Sequence, residues 1–391
     1  MAITLQNADN ALKTYYLDAV SSQLDGYVNP FFAAIKKTTN DVWGKEVRKL
    51  AISGINGGIG AGTEDGGLPT ASTSNYVQLV STLKNLYGVI EISDKALRAS
   101  ENNAGSFVSL LNSEMENLIK ASSFNFGRML FGNGTGLLAS INSIIDGMLD
   151  VDNLNYLCEG MIVDVVDGEG RPIAGATGRR ILNIDRDANL LSLSGEEILE
   201  DNLPTYAYVM VQGSYNNELT GLGAIFDKKI TNIYGASKMQ NPILNPYTKH
   251  IGGTINEEAI QIALDEIEIK SGNKVNFIVC SLGVRRELQK LFSQNKRVVD
   301  TMELEGGFKA MSFNGIPIVA DRFCPKGTMY LLNTNDFALH QLCDWQWLSG
   351  DDGKVLRQVP GKPVYTATLV KYADLICSCP AGQGMIAGIT E

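Results

Sequence analysis

The sequence predicts a mixed α+β protein of more than one unit, in which a small all-β module is set into a larger α/β body. The chain has 391 residues, more than a single hydrophobic core of ~250–300 residues usually organises. Its hydrophobic period also changes along the chain, from helical spacing near residues 106–130 to short β-branched runs between 141 and 218, then to alternating strands and helices after 254. The net charge of −10 is confined as well: residues 141–218 hold 14 acidic and 4 basic residues, and the remainder holds 29 of each.

Residues 1–48 read as an arm with little core of its own, in which Ala11, Leu12, Tyr15, Tyr16 and Val20 recur at helical spacing until Pro30 breaks the pattern. From Val47 to Leu86 two β-prone stretches flank SGINGGIGAGTEDGGLPT, whose glycines permit almost any backbone path. Residues 49–88 are therefore expected as a long hairpin with a loose tip. Arms of ~13 residues at ~3.4 Å per residue would project roughly 45 Å. Tyr87 to Ser93 reads as a strand, after which Ser93 or Asp94 can cap a short helix through Ala99. A longer helix from Ser106 to Leu130 carries Phe107, Leu110, Leu111, Met115, Leu118, Ile119, Phe126 and Leu130 on one face over about 38 Å. Gly132, Gly134 and Gly136 then end it.

The acidic segment changes period. GMIVDVVDGEGRPIAG, RRILNIDRDANLLSLSG and TYAYVMVQG place β-branched runs between Asp-Gly, Glu-Gly and Asp-Ala-Asn turns, giving five or six strands. An α/β pattern resumes at ELTGLGAIFD. Thr254 with Glu257 matches a capping box, Ile260, Ala263, Leu264 and Ile267 supply a buried face, and Gly272 closes the helix. The strand VNFIVC precedes a helix from Leu282 to Phe292 capped by Ser281. Phe308–Phe313 and Ile316–Ala320 flank Asn314-Gly315, a strong hairpin signal. TMYLLN, FALHQL and VYTATLVKYADLIC are further strands, the last returning to the body that the long helix began.

Chemistry-bearing motifs are scarce. The tract Gly57–Gly67 fits neither GxGxxG nor GxxxxGK[ST], and GNGTG at 132–136 follows a helix and not a strand. His250 and His340 lie outside any ligand-spaced cluster, and read as a loop residue and a strand residue. Cys377 and Cys379 lack a second pair nearby and read as buried strand thiols, as part of a set of six scattered, reduced cysteines. No GxSxG elbow is present. Trp345 and Trp347 read as packing residues of a strand. The expectation is a protein without catalytic residues, metal or cofactor. The acidic balance argues against a nucleic-acid-binding face, and no apolar run approaches the ~20 residues of a membrane span.

The order of elements resembles the Hong Kong 97 fold of tailed-phage major capsid proteins. Local text is similar in three places: KNLYGVIEISDKALRAS at Lys84 to Ser100, the long helix with GNGTGLL after it, and FNGIPIVADRFCPKGTMYLLNTNDFALH at Phe313 to His340. The resemblance implies an N-terminal arm at 1–48, an E-loop hairpin at 49–88, a P-domain with its spine helix at 89–140 and an A-domain at 219–345. Residues 346–391 would be returning P-domain strands, and 141–218 an inserted acidic all-β domain.

That resemblance implies a shell subunit and no enzyme: a virion protein made in the host bacterial cytoplasm, forming pentamers and hexamers with itself around double-stranded DNA that it does not read by sequence. A separate scaffolding protein and a portal are implied partners, with room for a decoration protein. The inserted module is expected to face outward, and no covalent crosslink is expected. Inter-subunit contacts are expected at Gly57, Gly58, Gly60, Gly62, Glu64 and Asp65 in the hairpin tip, and at Gln294, Arg297 and Glu305 in the A-domain. An encapsulin-like compartment with the same fold is the nearest competing reading, and an α/β enzyme with an accessory β domain a more distant one.

Overall fold

The structure, a computed structural model, describes residues 29–95, 104–294, 301–303, 309–350 and 353–391. It is a mixed α/β protein with few helices and several sheets. The arm helix over Ala11–Val20 and the short helix through Ala99 lie outside the described residues or run out of them.

Pro30 starts a helix. Helix α1 (Pro30–Ala34) places the proline in its first turn, where no amide is needed, and Asn29 Oδ1 accepts the Phe32 amide at 3.1 Å. Strands β1 (Lys36–Thr38) and β2 (Val42–Trp43) follow, then the hairpin arms β3 (Glu46–Ser53) and β4 (Asn75–Thr82). The hairpin ladder holds eight residue pairs, Glu46↔Thr82 to Ser53↔Asn75. It is shorter than the 13-residue arms expected from composition, because residues 54–74 run without strand pairing. Strand β5 (Lys84–Ser93) leads to helix α2 (Ala104–Met129). Met115, Ile119 and Phe126 are buried on that helix, as its periodicity predicts.

The chain divides into two compact units, one formed by residues up to Leu130 together with Ile225–Glu391, the other by Phe131–Ala224. In the second unit, β6 (Leu137–Ile145), β7 (Met148–Val151), β8 (Ile162–Asp167), β9 (Arg179–Asp185), β10 (Leu190–Leu193) and β11 (Ala207–Val211) close into a six-stranded antiparallel barrel. Its core is aliphatic, with Val163, Val165, Leu157, Leu191 and Val209 fully buried. The strand pattern follows the expected short β-branched runs. The barrel's first strand starts at Leu137, ahead of residue 141 where the charge shifts.

The first unit resumes with β12 (Asn232–Ile233), β13 (Ala236–Ser237) and β14 (Tyr247–Gly253). Helix α3 (Glu257–Ser271) is capped by Asn256, whose Oδ1 accepts the Ala259 amide at 2.8 Å, and closed by Gly272 at φ 71°. The capping box expected at Thr254 does not form, because Glu257 is the first residue of the helix and Asn256 already occupies the cap. Strand β15 (Phe277–Cys280) and helix α4 (Leu282–Gln294) follow, and Ser281 Oγ caps the helix by accepting the Val284 amide at 3.2 Å. Then come β16 (Thr301–Glu303), β17 (Lys309–Phe313), β18 (Ile316–Ala320) and β19 (Met329–Leu332). Asn314 and Gly315 both have positive φ in the β17–β18 turn, which is the conformation their sequence signals. The chain ends with β20 (Phe337–Trp347), β21 (Arg357–Gln358), β22 (Val364–Cys377) and β23 (Gly384–Ile389).

Two sheets organise this unit. A seven-stranded mixed sheet runs β14-β23-β19-β15-β18-β17-β16, and packs Ile260, Ile267, Leu288, Ile318, Leu331 and Ile386 into one core with α3 and α4. The second sheet has β22 at its centre, paired with β5 along one edge and with β20 and β21 along the other, while β1 joins β20 in parallel. Helix α2 covers one face of this second sheet. A Cβ on Gly88 would meet Leu118 Cδ1 at 2.9 Å, so the glycine is what lets helix and strand approach.

Candidate inter-subunit surface

Alternation along a strand sends successive side chains to opposite faces, and the hairpin register sorts its residues accordingly. Val47, Ala51 and Leu79 are buried on one face. On the other, Leu50 lies beside Ile52, Ile52 is directly opposite Tyr76, and Trp43 is opposite Glu46. Trp43, Leu50, Ile52 and Tyr76 are all 59–70% exposed, and Ile55, Ile59 and Leu68 in the tip are 86–94% exposed. A run of apolar residues on the solvent side of an antiparallel sheet is unusual, because such sheets normally bury one face and wet the other. Contiguous exposed apolar area of this kind marks an interaction surface.

The hairpin is held firmly at its root. Ser81 Oγ donates to Asp374 Oδ2, and Val80 donates its amide to the Tyr234 carbonyl at 2.8 Å. The Tyr234 phenol donates to Leu375 O at 3.1 Å and accepts the Cys377 amide at 3.2 Å, and burial pushes its pKa well above the ordinary tyrosine value. His340 Nδ1 donates to the Asn40 carbonyl at 2.9 Å, and burial pushes this imidazole below its ordinary pKa. Beneath the root, the buried Lys371 ammonium donates to Gln341 Oε1 at 2.8 Å and to Asp344 Oδ1 at 2.5 Å. Burial works against the Asp344 carboxylate, but the Lys371 charge and hydrogen bond hold it below its ordinary pKa.

A second apolar face lies on the β5–β22–β20 sheet, opposite α2. Tyr87 pairs with Val370 and Val89 with Thr368, and the Leu348 amide donates to Thr368 O at 2.8 Å, which sets Leu348 in line with Val89. Tyr87, Val89 and Leu348 are each 42–59% exposed. The unit therefore carries two apolar sheet faces turned to solvent, one on a rooted hairpin and one on its largest antiparallel ladder.

Of the residues expected to make contacts, Gly57, Gly60, Gly62, Glu64 and Asp65 are exposed in the tip and Gly58 is half-buried there, where its amide donates to Asn56 Oδ1 at 2.8 Å. Gln294 ends α4, and Arg297 and Glu305 lie outside the described residues. The tip residues and Gln294 belong to separate elements. Sequence reasoning missed Trp43, Leu50, Ile52, Tyr76, Tyr87, Val89 and Leu348. The signal was present in RKLAISGI, where apolar residues occupy both strand faces, but it shows only once the strand is split by parity.

Elsewhere the chemistry-bearing residues serve packing. Cys280, Cys324 and Cys377 are buried, with burial raising the Cys280 thiol to about 12, while Cys158, Cys343 and Cys379 are half-buried. Cys379 lies beyond the end of β22 and not on the strand, and His250 lies on β14 and not in a loop. Trp345 and Trp347 are buried, and Lys371 lies 5.8 Å from the Trp345 ring centroid. Among the described residues no group of His, Cys, Asp and Glu is placed to hold a metal, and no helix is long and apolar enough to cross a membrane.

The sequence matches no family model and no curated protein. Among solved structures, the chain is similar to the capsid asymmetric unit of cyanophage A-1(L), with a TM-score of 0.59 at 13% identity over 93% of both chains. Mycobacterium phage Bobi gives 0.45 at 9% identity over 99% of both chains. The encapsulin complex of Synechococcus elongatus PCC 7942 gives 0.44 at 9% identity, over 93% of this chain and 88% of that one. At these identities the likeness concerns fold. The chain has the fold of a phage capsid protein, and the expected resemblance to that group holds.

Proposed function

We propose that this chain is the major capsid protein of a tailed bacteriophage, a non-enzymatic subunit that closes into the icosahedral head around double-stranded DNA. The observation that carries the reading is the rooted hairpin with its solvent-facing apolar side, Trp43, Leu50, Ile52 and Tyr76, on a fold shared with the cyanophage capsid. The hairpin's inner face is anchored, so its outer face needs a partner from another molecule. The sheet face of Tyr87, Val89 and Leu348 on a second copy offers apolar area of the same kind.

A repeated heterologous contact of this type closes into rings when its rotation fits, and pentamers and hexamers in a shell are such closures. In this reading β3–β4 is the E-loop, α2 with the β22 sheet the P-domain, and the seven-stranded sheet the A-domain. This departs from the expected bounds of 219–345 and 346–391, because β20 (Phe337–Trp347) pairs in the β22 sheet and β23 (Gly384–Ile389) in the seven-stranded one. The acidic barrel solvates the outside of the particle. The balanced charge of the remaining chain suits DNA held as cargo, without sequence-specific contacts. Scaffolding protein, portal and a decoration protein are the further partners.

Cysteine pairs test the contact. Ile52→Cys or Tyr76→Cys is combined with Val89→Cys, and assembled material is treated with a short bis-maleimide. Denaturing electrophoresis should give a ladder that ends at five and six chains for the pairs and monomer for each single variant. Monomer from every pair in assembled shells would rule out the hairpin-on-sheet contact.

A further inference from the structure

Asp321 follows β18 and is 3% exposed. Its amide donates to Cys280 O at 3.0 Å, its carbonyl accepts the Cys324 amide at 3.3 Å, and its Oδ1 accepts the Phe323 amide at 2.8 Å. Asp321 thus closes the tight turn that carries the chain from β18 toward β19. Its other oxygen, Oδ2, is buried without a hydrogen-bond partner, an arrangement that penalises the charged carboxylate more than the neutral acid, whose proton falls to Oδ2 because Oδ1 accepts the Phe323 amide.

The same turn joins the seven-stranded sheet to helix α2. Phe323 is 1% exposed, and a Cβ on Gly127 of α2 would lie 2.7 Å from its Cε2, so the ring rests directly on the helix backbone. Phe124 meets the same ring edge-on at 5.1 Å between centroids, and the Arg322 guanidinium lies over both rings at 4.9 and 5.1 Å. Arg322 is the charge that acts on Asp321, and the Cys324 thiol of the same turn faces Asp321, the Cys280 thiol and the Glu391 carboxylate. Glu391 accepts from Ser281 Oγ and from the Gly327 amide at 2.6 Å, which fixes the far end of the turn.

We propose that the turn 321–327 is a proton-controlled joint between the seven-stranded sheet and the long helix: with Asp321 neutral the turn stays closed and Phe323 sits on Gly127, and with Asp321 ionised the turn admits water and the ring leaves the helix. The step is a single proton lost from Oδ2 to solvent. Burial, opposed by the Phe323 amide and Arg322, raises this carboxyl from 3.8 to about 7. Because the closed form has the raised pKa, its advantage is fully present below pH 3.8, declines as pH rises, and is lost once pH passes about 7. The joint does not depend on the shell reading.

Hydrogen exchange read by mass spectrometry on the full chain at about pH 6 and about pH 8, corrected for intrinsic rates, tests it. For a carboxyl titrating near 7, the opening equilibrium scales with the ionised fraction and grows about ten-fold over this interval. Peptides covering 120–131 and 321–328 should show that acceleration, and barrel peptides should not. Asp321→Asn should abolish it. Phe323→Leu, which loosens the ring at every pH, should exchange faster at both values and keep the ten-fold ratio, so the test stands even where Asp321→Asn fails to fold. A wild-type ratio within about two-fold, or a ratio retained in Asp321→Asn, overturns the proposal.

Discussion

Replacing Leu50, Ile52 and Tyr76 together by serine removes three of the four apolar side chains that the strands turn to solvent, leaving Trp43 and the anchored face intact. Fully burying a side chain of this size is worth about 1.5–3 kcal/mol. Roughly three-fifths of each remains exposed in the single chain, so covering each one by a neighbour gains about 1–2 kcal/mol, and the three together gain about 3–5 kcal/mol per contact. Every 1.4 kcal/mol is about ten-fold in an equilibrium constant, so the triple variant should raise the concentration threshold for assembly by at least about 100-fold. Exposed substitutions cost little within a chain, about 0.5 kcal/mol or less each, so its thermal midpoint should stay close to that of the wild type. Light scattering and velocity sedimentation across a concentration series read the threshold, and circular dichroism reads the fold. Assembly at the wild-type threshold by a folded triple variant would refute the role given to this face.

Two further predictions concern the body of the first unit. Asn256→Ala should cost about 1 kcal/mol through the lost cap of α3, whereas Thr254→Ala should cost much less; calorimetry that ranked them the other way would restore the capping box at Thr254. Asp344 has a pKa held down by Lys371, so this pair contributes stability that is present above the ordinary carboxylate pKa and lost as pH falls through the lowered folded value. In Lys371→Met that acid-side loss should shrink, seen as a smaller drop in melting temperature between about pH 5 and about pH 3. An unchanged drop would show that the pair does not couple to folding.

Local signals in the sequence translated well where a short stretch settles its own geometry. Asn314-Gly315 makes its hairpin turn, Gly272 adopts the left-handed closing conformation, Ser281 caps α4, and VYTATLVKYADLIC is one strand from Val364 to Cys377. What escaped depends on partners distant in sequence. The parallel pairing of β14 with β23 links Tyr247 to Gly384, and that of β1 with β20 links Lys36 to Ala338; no window of a few residues contains both strands. The hairpin ladder is shorter than the expected arms of ~13 residues because pairing stops at Ser53↔Asn75, where the glycine tract begins, and the expected arms reach into that tract.

The candidate surface was legible only in outline. Glycine drew attention to the tip, where Gly57–Asp65 offer backbone freedom and two carboxylates, but the apolar area sits mainly on the arms. Leu50 and Ile52 look like ordinary core residues in the sequence, and only the burial of Val47, Ala51 and Leu79 on the opposite face shows that they point to solvent. Tyr87 and Val89 were masked in the same way, since the strand that contains them also buries Leu86, Ile90 and Ile92 against the helix side.

Electron microscopy of the purified chain, alone and with a cognate scaffolding protein, shows directly whether it closes into a shell. Under the proposed function closed particles form, with rings of five and six subunits among incomplete forms. A folded chain that stays monomeric or forms only small oligomers in the presence of the scaffold would contradict it.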